Sequence, residues 1–328
     1  MREKVLITGA SGFLGFHIIE AALKMGLEVH AAIRKSSNID HLKGLEIQYI
    51  YPDFNDIADL KNQIEKNNYQ YIIHAAGITK ASSLDEYSKV NVTYTYNIAK
   101  AAAMLEIPLK KFVFVSSLAA MGPLPSAEGA ITEETKPQPV TSYGKSKLMA
   151  EEKINGLALP LTIIRPTAIY GPREKDIFIL FSYILKGWEP YIGKRKQQLS
   201  FVYVKDIAGI VVDALFKNNT SIAFNISDGQ SYSRYELADF AKEFLGKKTT
   251  RFFLPEGMVK FFAVVLEKGY GLFGKTPVVN QEKLAELTAA NWICNIDKAS
   301  KELDFEPKYN LKSGLEETLV WYKDNKWL

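Results

Sequence analysis

A tyrosine and a lysine four residues apart, Tyr143 and Lys147, have the side chains needed for proton transfer. The pattern around them is helical, so both side chains project from the same helix face. A phenol with an ordinary pKa of about 10 is a poor base at neutral pH, but a nearby ammonium lowers that pKa because it favours the phenolate. We therefore expect Tyr143 to exchange a proton with a substrate oxygen, and Lys147 to lower the pKa of Tyr143.

The spacing alone is weak evidence, because the chain has two further Tyr-x-x-x-Lys sequences that start at Tyr96 and Tyr322. Position distinguishes Tyr143, since it follows a turn-rich loop and lies 26 residues after a predicted strand that ends at Ser116 and Ser117. We predict that the Ser117 hydroxyl polarises a substrate carbonyl, with Ser116 as the alternative. Either hydroxyl could instead satisfy backbone groups at the strand end.

The glycines in TGASGFLG, residues 8–15, lie between an apolar run typical of a buried strand and a helical pattern. Gly9 would allow a tight turn, Gly12 would let the backbone approach a pyrophosphate, and Gly15 would let helix and strand pack closely. Free N–H groups at the helix start favour an anion. Although simple loops also contain such glycines, we predict a dinucleotide site with contacts from Gly9, Ser11, Gly12, Phe13, Leu14 and Gly15.

Alternating strand and helix patterns must position these groups. Strand-like apolar runs occur near Val5, Val29, Ile47, Ile72, Val113 and Ile163, with helical patterns between them. This alternation predicts an α/β fold with a Rossmann-type doubly wound parallel sheet. After Pro166 the longer helical segments predict a smaller, mostly helical C-terminal substrate lobe over the carboxyl ends of the strands, where open α/β sheets bind ligands.

The composition indicates a globular protein with a large core, because 47% of the 328 residues are hydrophobic. The net charge of +4 comes from interspersed charges, so we expect neither nucleic-acid binding nor stable membrane insertion. The single cysteine, Cys294, excludes an internal disulfide and is typical of a reducing compartment. A strand directly follows residues 1–4, so we expect no secretion signal and a soluble, cytoplasmic protein.

Three other features suggest chemistry that we do not expect. Residues 269–276, GYGLFGKT, match the phosphate-loop pattern of nucleotide triphosphatases, but a helical stretch precedes them and Pro277 follows. Residues 258–273 are apolar yet interrupted by charges and too short to span a bilayer, so we predict a core or lid helix, with a lipid-contacting helix as the alternative. The four histidines lie in the N-terminal half, where we expect neither a Ser-His-Asp hydrolase nor a metal site.

Several segments in this order resemble the extended branch of the short-chain dehydrogenase/reductase superfamily, the NAD-dependent epimerase/dehydratase-like family. They are the glycine segment, IIHAAG at 72–77, VNVTYTYN at 90–97, FVFVSS at 112–117, the Tyr143/Lys147 pair, IIRPTAIYGP at 163–172 and FVYVKDIA at 201–208. The C-terminal part resembles dihydroflavonol-4-reductase-like and 3β-hydroxysteroid-dehydrogenase-like relatives. The resemblance implies a dinucleotide-binding domain formed by residues 1–165 and 201–225, a substrate lobe formed by residues 166–200 and 226–328, and a homodimer.

The cofactor that the resemblance implies is a nicotinamide dinucleotide. The second strand lacks the terminal acid that binds the ribose 2′-hydroxyl of NAD, and Arg34 and Lys35 follow it instead. These cations would suit a 2′-phosphate, so we favour NADP(H) over NAD(H), although two basic residues can also form a solvated loop. The resemblance implies further cofactor contacts from Asp53, Phe54, Ala75, Ala76, Gly77, Tyr143, Lys147, Pro166, Thr167 and Ala168.

The function that the resemblance implies is NADP(H)-dependent interconversion of a carbonyl and a secondary alcohol, with Ser117, Tyr143 and Lys147 as catalytic residues. Leu118 and Ala119 stand where related 4,6-dehydratases carry an Asp-Glu pair, and Leu199 stands where nucleotide-sugar epimerases have an arginine for the diphosphate. An apolar wall at Leu118, Ala119, Ala120, Met121 and Leu124 would favour a small, apolar substrate, but core packing explains it equally well. The alternatives are a nucleotide-sugar epimerase with retained NAD and a non-catalytic redox sensor.

Overall fold

The computed structural model describes residues 2–81, 83–219, 222–271 and 281–328. The strands are β1 (Lys4–Thr8), β2 (Glu28–Ala32), β3 (Ile47–Ile50), β4 (Tyr71–His74), β5 (Lys111–Val115), β6 (Leu161–Pro166), β7 (Ala168–Tyr170), β8 (Trp188–Ile192), β9 (Gln198–Leu199), β10 (Phe201–Tyr203), β11 (Ala223–Ile226), β12 (Tyr232–Ser233) and β13 (Thr250–Leu254). The α-helices are α1 (Phe13–Lys24), α2 (Ile57–Asn67), α3 (Leu84–Tyr87), α4 (Tyr94–Ala103), α5 (Ser142–Asn155), α6 (Asp176–Leu185), α7 (Val204–Asp213), α8 (Glu236–Leu245), α9 (Glu256–Gly271), α10 (Gln281–Thr288), α11 (Asp297–Leu303) and α12 (Leu311–Asp324).

Seven parallel strands form the central sheet in the order β3-β2-β1-β4-β5-β6-β11. All six apolar runs predicted as strands lie in it, so the predicted Rossmann-type doubly wound α/β fold is confirmed. The strand order reverses between β1 and β4, which pair with Thr8 beside His74. Doubly wound sheets bind ligands at the carboxyl ends of the strands beside such a reversal.

Helices cover both faces of this sheet, because its strands bury side chains that point to opposite sides. In β1, Val5 and Ile7 join one hydrophobic cluster and Leu6 joins the other. The helix α7 packs against α1 on one face, and α2 packs against α4 on the other. Because helices cover both faces of the sheet, the edge formed by the carboxyl ends of its strands is the part open to a ligand.

The C-terminal part of the chain contains short two-stranded sheets, β7–β10, β9–β12 and β8–β13, and the helices α8 to α12. Isolated bridges join Leu124 to Asn291 and Ile131 to Cys294, so this part is fastened to the loop that follows β5. Residues 258–271 of the apolar segment lie in α9, where Met258, Phe261 and Phe262 are exposed and Ala263 is buried.

The end of that segment, together with residues 272–276 of the GYGLFGKT sequence and Pro277, lies outside the described residues. Across the ranges given above, no helix is long and apolar enough to cross a bilayer. Nor do those ranges contain a group of three or more His, Cys, Asp or Glu side chains that could hold a metal ion.

Candidate active site

The glycine turn between β1 and α1 is closed so tightly that only glycine fits at two positions. Gly9 has a φ of +71°, and a Cβ on it would lie 2.6 Å from the carbonyl carbon of Ala75. A Cβ on Gly15 would lie 2.1 Å from the Gly9 carbonyl oxygen. Gly12 donates its N–H to that same oxygen at 2.9 Å and is itself exposed. The three glycines therefore form a tight turn whose outer surface is open to a ligand.

The start of α1 is prepared for an anion. In the part of the chain that the structure describes, no side chain caps the helix, and its first turn contains no acidic residue. The first N–H groups of a helix have no partner within it, and the helix dipole makes this end partly positive. Residues Ser11, Phe13 and Leu14 surround this end and are half-buried. Together with the glycine turn, they form a cradle that fits the pyrophosphate of a dinucleotide.

A chain of hydrogen bonds holds the end of β4 against this cradle. The Ala76 N–H donates to Thr8 Oγ1 at 3.1 Å, and Thr8 Oγ1 bonds to His74 Nδ1 at 2.8 Å. On the other side of the ring, His74 Nε2 bonds to Thr95 Oγ1 at 2.9 Å, while Thr95 donates to the Asn91 carbonyl at 2.7 Å. The hydroxyl directions assign the Nε2–H tautomer to a neutral His74. Burial lowers the pKa of this histidine to about 3, so it stays neutral at physiological pH.

The residues that follow β4 join the cradle to the predicted catalytic lysine. Ala75 lies against Gly9, whereas a Cβ on Gly77 would lie 3.2 Å from Lys147 Nζ and 3.2 Å from Asn91 Oδ1. Ala75 and Ala76 are half-buried and Gly77 is exposed. The three small residues therefore form an open strip between the pyrophosphate cradle and Lys147.

Helix α5 approaches the end of β5 closely because of Gly144, a residue that the sequence analysis did not select. A Cβ there would lie 2.3 Å from the Ala119 carbonyl oxygen, in the short 3-10 helix that follows β5. Thr141 begins α5 as its N-cap and accepts a hydrogen bond from the Gly144 N–H at 3.0 Å. The close packing places Tyr143 beside Ser117.

The Ser117 side chain lies beside the Tyr143 phenol and acts to lower its pKa. Ser117 Oγ also accepts the Ala119 N–H at 3.2 Å, which fixes the hydroxyl at the strand end. Behind Tyr143, its carbonyl accepts the Ser146 hydroxyl at 2.7 Å, and Ser146 Oγ accepts the Asn91 side-chain amide at 2.9 Å. Asn91 lies in a π-helical segment at 88–93 and is completely buried.

Lys147 is buried and lies one turn along α5 from Tyr143. Its ammonium donates to the Val115 carbonyl at 2.9 Å and lies 4.8 Å from the centre of the Phe114 ring. Burial lowers the pKa of Lys147 to about 8, partly offset by the attraction of Glu151. At neutral pH the side chain is therefore still mainly cationic.

The expectation that Lys147 lowers the pKa of Tyr143 is wrong. Burial raises the pKa of Tyr143 to about 12, with Glu286 and Tyr87 adding to the rise, and the hydrogen bond from Ser117 only partly opposes it. The physical reason is that the Lys147 ammonium donates to the Val115 carbonyl rather than to the phenol, so burial dominates the pKa of Tyr143. Tyr143 is therefore a protonated acid at neutral pH.

Ser116, the alternative to Ser117, has a different environment. It is buried and donates its hydroxyl to Glu151. Glu151 also accepts two hydrogen bonds from Arg165 Nε, at 3.0 and 3.1 Å, and forms a buried ion pair with its guanidinium. This Ser116–Glu151–Arg165 cluster leaves Ser117 as the serine that contacts Tyr143.

The residues predicted for the adenosine end are exposed or half-buried. Arg34 and Lys35 are exposed directly after β2, and no ion pair involves either side chain within the described part of the chain. Asp53 Oδ1 accepts the backbone and side-chain N–H groups of Asn55 at 2.9 and 2.8 Å, as in the turn chemistry of an aspartate. Phe54 is half-buried and stacks on the Tyr94 ring with centroids 5.7 Å apart.

The residues predicted to line the nicotinamide side differ in exposure. Pro166 ends β6 and is buried, Thr167 is half-buried and donates to the Ser200 carbonyl at 2.8 Å, and Ala168 is exposed. The predicted apolar wall is largely core, since Leu118 and Met121 are buried in a cluster with Ile131 and Cys294, and Ala120 is also buried. Ala119 and Leu124 are half-buried.

This arrangement fits a dinucleotide, with an anion cradle at one end of an open strip and a proton-transferring pair at the other. A family model for the NAD dependent epimerase/dehydratase family matches residues 5–227. The chain belongs to this family. Members are extended short-chain dehydrogenases/reductases, so the resemblance seen in the sequence is confirmed and the protein is an enzyme of that class.

Relatives of this family member differ in their named activities. It is 27% identical over 326 residues to a UDP-glucose 4-epimerase of Vibrio cholerae, covering 97% of this chain and 95% of the relative. It is 25% identical over 329 residues to a ceramide reductase of Caulobacter vibrioides, covering 100% of this chain and 96% of the relative. The fold is shared with a UDP-glucuronic acid 4-epimerase from Bacillus cereus solved in complex with NAD, at a TM-score of 0.76, 24% identity and coverage of 98% and 99% of the two chains.

Four features of the site were missed by sequence reasoning: Gly144, the His74 hydrogen-bond chain, the Glu151–Arg165 ion pair and Glu282. Gly144 was available as a signal, because it directly follows Tyr143 within SYGKSK. The other three connect residues of different elements, 14 to 140 positions apart, and no local pattern indicates such pairs.

Proposed function

We propose that this enzyme is an NADP(H)-dependent oxidoreductase that interconverts a carbonyl and a secondary alcohol. The observation that carries the proposal is the placement of Ser117 beside Tyr143 at the carboxyl end of β5, where it lowers the pKa of the phenol, with the Lys147 ammonium one helical turn away. The strip 75–77 links that pair to the glycine cradle. A phenol, a hydroxyl and an ammonium in this order can polarise a carbonyl and protonate its oxygen.

Each side chain has a separate role in reduction. Ser117 and Tyr143 hydrogen-bond the carbonyl oxygen, and Tyr143 gives it a proton as negative charge develops there. The bound nicotinamide supplies the hydride. Lys147 stays cationic at pH values below its pKa of about 8 and would hold the nicotinamide ribose when the cofactor binds. Since the raised pKa of Tyr143 keeps the phenol protonated at neutral pH, the proton for reduction is already in place.

Preference for NADPH is part of the proposal. Arg34 and Lys35 are exposed at the end of β2, and neither has an ion-pair partner within the described residues. A 2′-phosphate would give Arg34 a charge-assisted hydrogen bond that the 2′-hydroxyl of NADH does not offer. Titration of intrinsic fluorescence with each reduced cofactor should give a lower Kd for NADPH, and equal or reversed affinity contradicts the assignment.

We assign the substrate to uncharged, mainly apolar carbonyl compounds. Glu286 lies near enough to raise the pKa of Tyr143, and Glu282 contacts the residue before it, so these two carboxylates near the phenol disfavour an anionic substrate. A relative with 25% identity is a ceramide reductase, which makes lipid carbonyl compounds part of the test. A panel of ketones, aldehydes, lipid ketones and nucleotide sugars, followed by the absorbance of NADPH, should show consumption with an uncharged ketone.

Nucleotide-sugar epimerisation is the second candidate, favoured by 27% identity to a UDP-glucose 4-epimerase over nearly the full length. In this structure Leu199 lies in β9, and the guanidinium of Arg234 donates to the carbonyls of Ile192 and Arg195 at 3.0 and 3.1 Å. An epimerase would retain NAD through purification and interconvert UDP-sugars without net consumption of NADPH.

We also propose a homodimer, which light scattering tests directly, since a monomeric mass would reject it.

A further inference from the structure

Helix α10 in the C-terminal part of the chain is fixed at its carboxyl end. The Gln197 side-chain amide donates to the carbonyls of Leu287 and Ala289 at 2.7 and 2.8 Å. The Trp292 indole donates to the Glu286 carbonyl at 3.2 Å, and Leu284 is buried. These contacts join α10 to the residue that directly precedes β9, and β9 pairs with β12.

The amino end of α10 contacts the catalytic helix through Glu282. Its carboxylate accepts two hydrogen bonds from Ser142, one from the backbone N–H at 2.8 Å and one from the hydroxyl at 2.5 Å. Ser142 is the first residue of α5 and directly precedes Tyr143. The Glu282 carboxylate of α10 therefore binds both hydrogen-bond donors of Ser142, the residue next to Tyr143.

This contact supplies what α5 lacks in its own sequence. The first turn of α5 contains no acidic residue, although a negative charge stabilises the partly positive start of a helix. Thr141 caps the Gly144 N–H, whereas within the described residues the Ser142 N–H is bound by the distant Glu282 alone. The start of α5 is therefore completed by a carboxylate that lies 140 residues later in the chain.

The backbone of Tyr143 is thus held from two sides. Ser146 binds its carbonyl at 2.7 Å from within α5, and the Ser142–Glu282 contact holds the preceding peptide from outside. Proton transfer needs the phenol within hydrogen-bond reach of the reacting oxygen, and small displacements are costly in rate. A movement of α10 relative to α5 would act directly on this geometry.

We propose that Glu282 is a positioning residue that couples α10 to Tyr143, so that proton transfer is efficient only when α10 is docked on the start of α5. The inference rests on the proposed function, because it concerns the same proton transfer. It assigns Glu282 no contact with substrate, cofactor or the reacting atoms. The effect of removing Glu282 should therefore fall on kcat and leave cofactor affinity unchanged.

Glu282→Gln and Glu282→Ala test the role in turnover. The glutamine has nearly the same shape, but its NH2 group faces a donor and its oxygen can accept only part of what the carboxylate accepts. Hydrogen bonds to charged groups support an expected loss in kcat of about tenfold or more for both variants, with KM and the Kd of NADPH within about twofold of the wild type. Ser142→Ala removes only the hydroxyl, and adding it to Glu282→Ala should cause little further loss because both act on one interaction.

Glu243→Gln is the matched control, since Glu243 is an exposed glutamate of α8 that pairs with Lys312 on the surface. It should leave kcat unchanged. A lower melting temperature for the Glu282 variants with an unchanged kcat would assign Glu282 a purely structural role and overturn the proposal.

Amide hydrogen exchange gives a readout that needs no substrate. In Glu282→Ala the Ser142 amide should exchange at least about tenfold faster, because its acceptor is gone. The Gly144 amide, which is bound to Thr141, should keep its rate. Unchanged exchange at Ser142 overturns the proposal. If the wild-type enzyme reduces no carbonyl compound, the proposed function fails on its own, and the exchange rate still decides whether α10 is coupled to α5.

Discussion

Replacing Gly144 by alanine tests whether the close approach of α5 to β5 places Tyr143. The added Cβ would lie 2.3 Å from the Ala119 carbonyl oxygen and 3.0 Å from the carbonyl carbon, whereas ordinary contact begins at 3.4 Å. Both neighbours are backbone atoms, so no side-chain rotation relieves the overlap. The start of α5 and the 3-10 helix at 118–120 must therefore separate by about 1 Å.

The expected cost follows from that separation. Overpacking of a tight contact costs about 1–3 kcal/mol in the free energy of unfolding. Misplacement of a catalytic group by about 1 Å lowers turnover by about 100-fold. Gly209→Ala in α7 is the matched control, because no atom of the described residues lies within 4 Å of its added Cβ. Alanine in an open helix position should raise stability by about 1 kcal/mol and leave turnover unchanged.

Urea denaturation and initial rates of NADPH consumption with the best ketone of the panel measure both effects. The Gly144 variant should be less stable than the Gly209 variant and about 100-fold slower than the wild type. If the two alanine variants have equal stability and equal turnover, close packing at Gly144 does not place Tyr143 and the reasoning is wrong.

Three further predictions concern charge. Arg34→Ala should raise the Kd of NADPH about tenfold and leave that of NADH unchanged, since only NADPH offers a 2′-phosphate, and equal weakening of both would contradict this. Reduction needs protonated Tyr143 and cationic Lys147, whose pKa values are about 12 and about 8, so the rate should fall as the pH rises through about 8. In Lys147→Arg the fall should move to higher pH, and a wild-type rate that stays level across this range would refute the assignment. Glu151→Gln should lower the free energy of unfolding by about 3–5 kcal/mol, because Arg165 is left as a buried, uncompensated charge. In the same urea titration its exposed neighbour, Glu152→Gln, should stay within about 0.5 kcal/mol of the wild type, and equal effects of the two would argue against a buried ion pair.

Local patterns were sufficient to predict the sheet and the glycine turn. The alternation of apolar runs and helical patterns predicts a doubly wound sheet, which the structure confirms. This was possible because each strand and each crossover helix is formed by consecutive residues. The glycine turn was predictable for the same reason, because Gly9, Gly12 and Gly15 act within one strand-to-helix connection.

The electrostatics of the site could not be predicted in this way. Lys147 and Tyr143 share a helix face, and that alone suggested a lowered phenol pKa. The direction reverses because the ammonium is bound to the Val115 carbonyl and because burial dominates at Tyr143, and both depend on tertiary packing. The apolar residues after Ser117 show the same limit, since Leu118 and Met121 pack against Ile131 and Cys294 rather than facing an open pocket.

Contacts between residues of different elements could not be predicted from the sequence either. The role of Glu282 was not predictable, because no pattern within α10 relates it to Ser142. The sequence favoured Ser117 and left Ser116 as the alternative, and only the partners of each distinguish them. Glu151 and Arg165 engage the first, and Tyr143 contacts the second.

A crystal structure of the enzyme with NADP⁺ bound tests the central claim most directly, because it shows where the nicotinamide ring lies relative to the proton-transferring pair. We expect the pyrophosphate at the start of α1, Lys147 Nζ about 3 Å from a ribose hydroxyl, and the Tyr143 hydroxyl beside the carbon that exchanges hydride. A nicotinamide ring that lies away from β5, with the phenol of Tyr143 out of reach, would contradict the account.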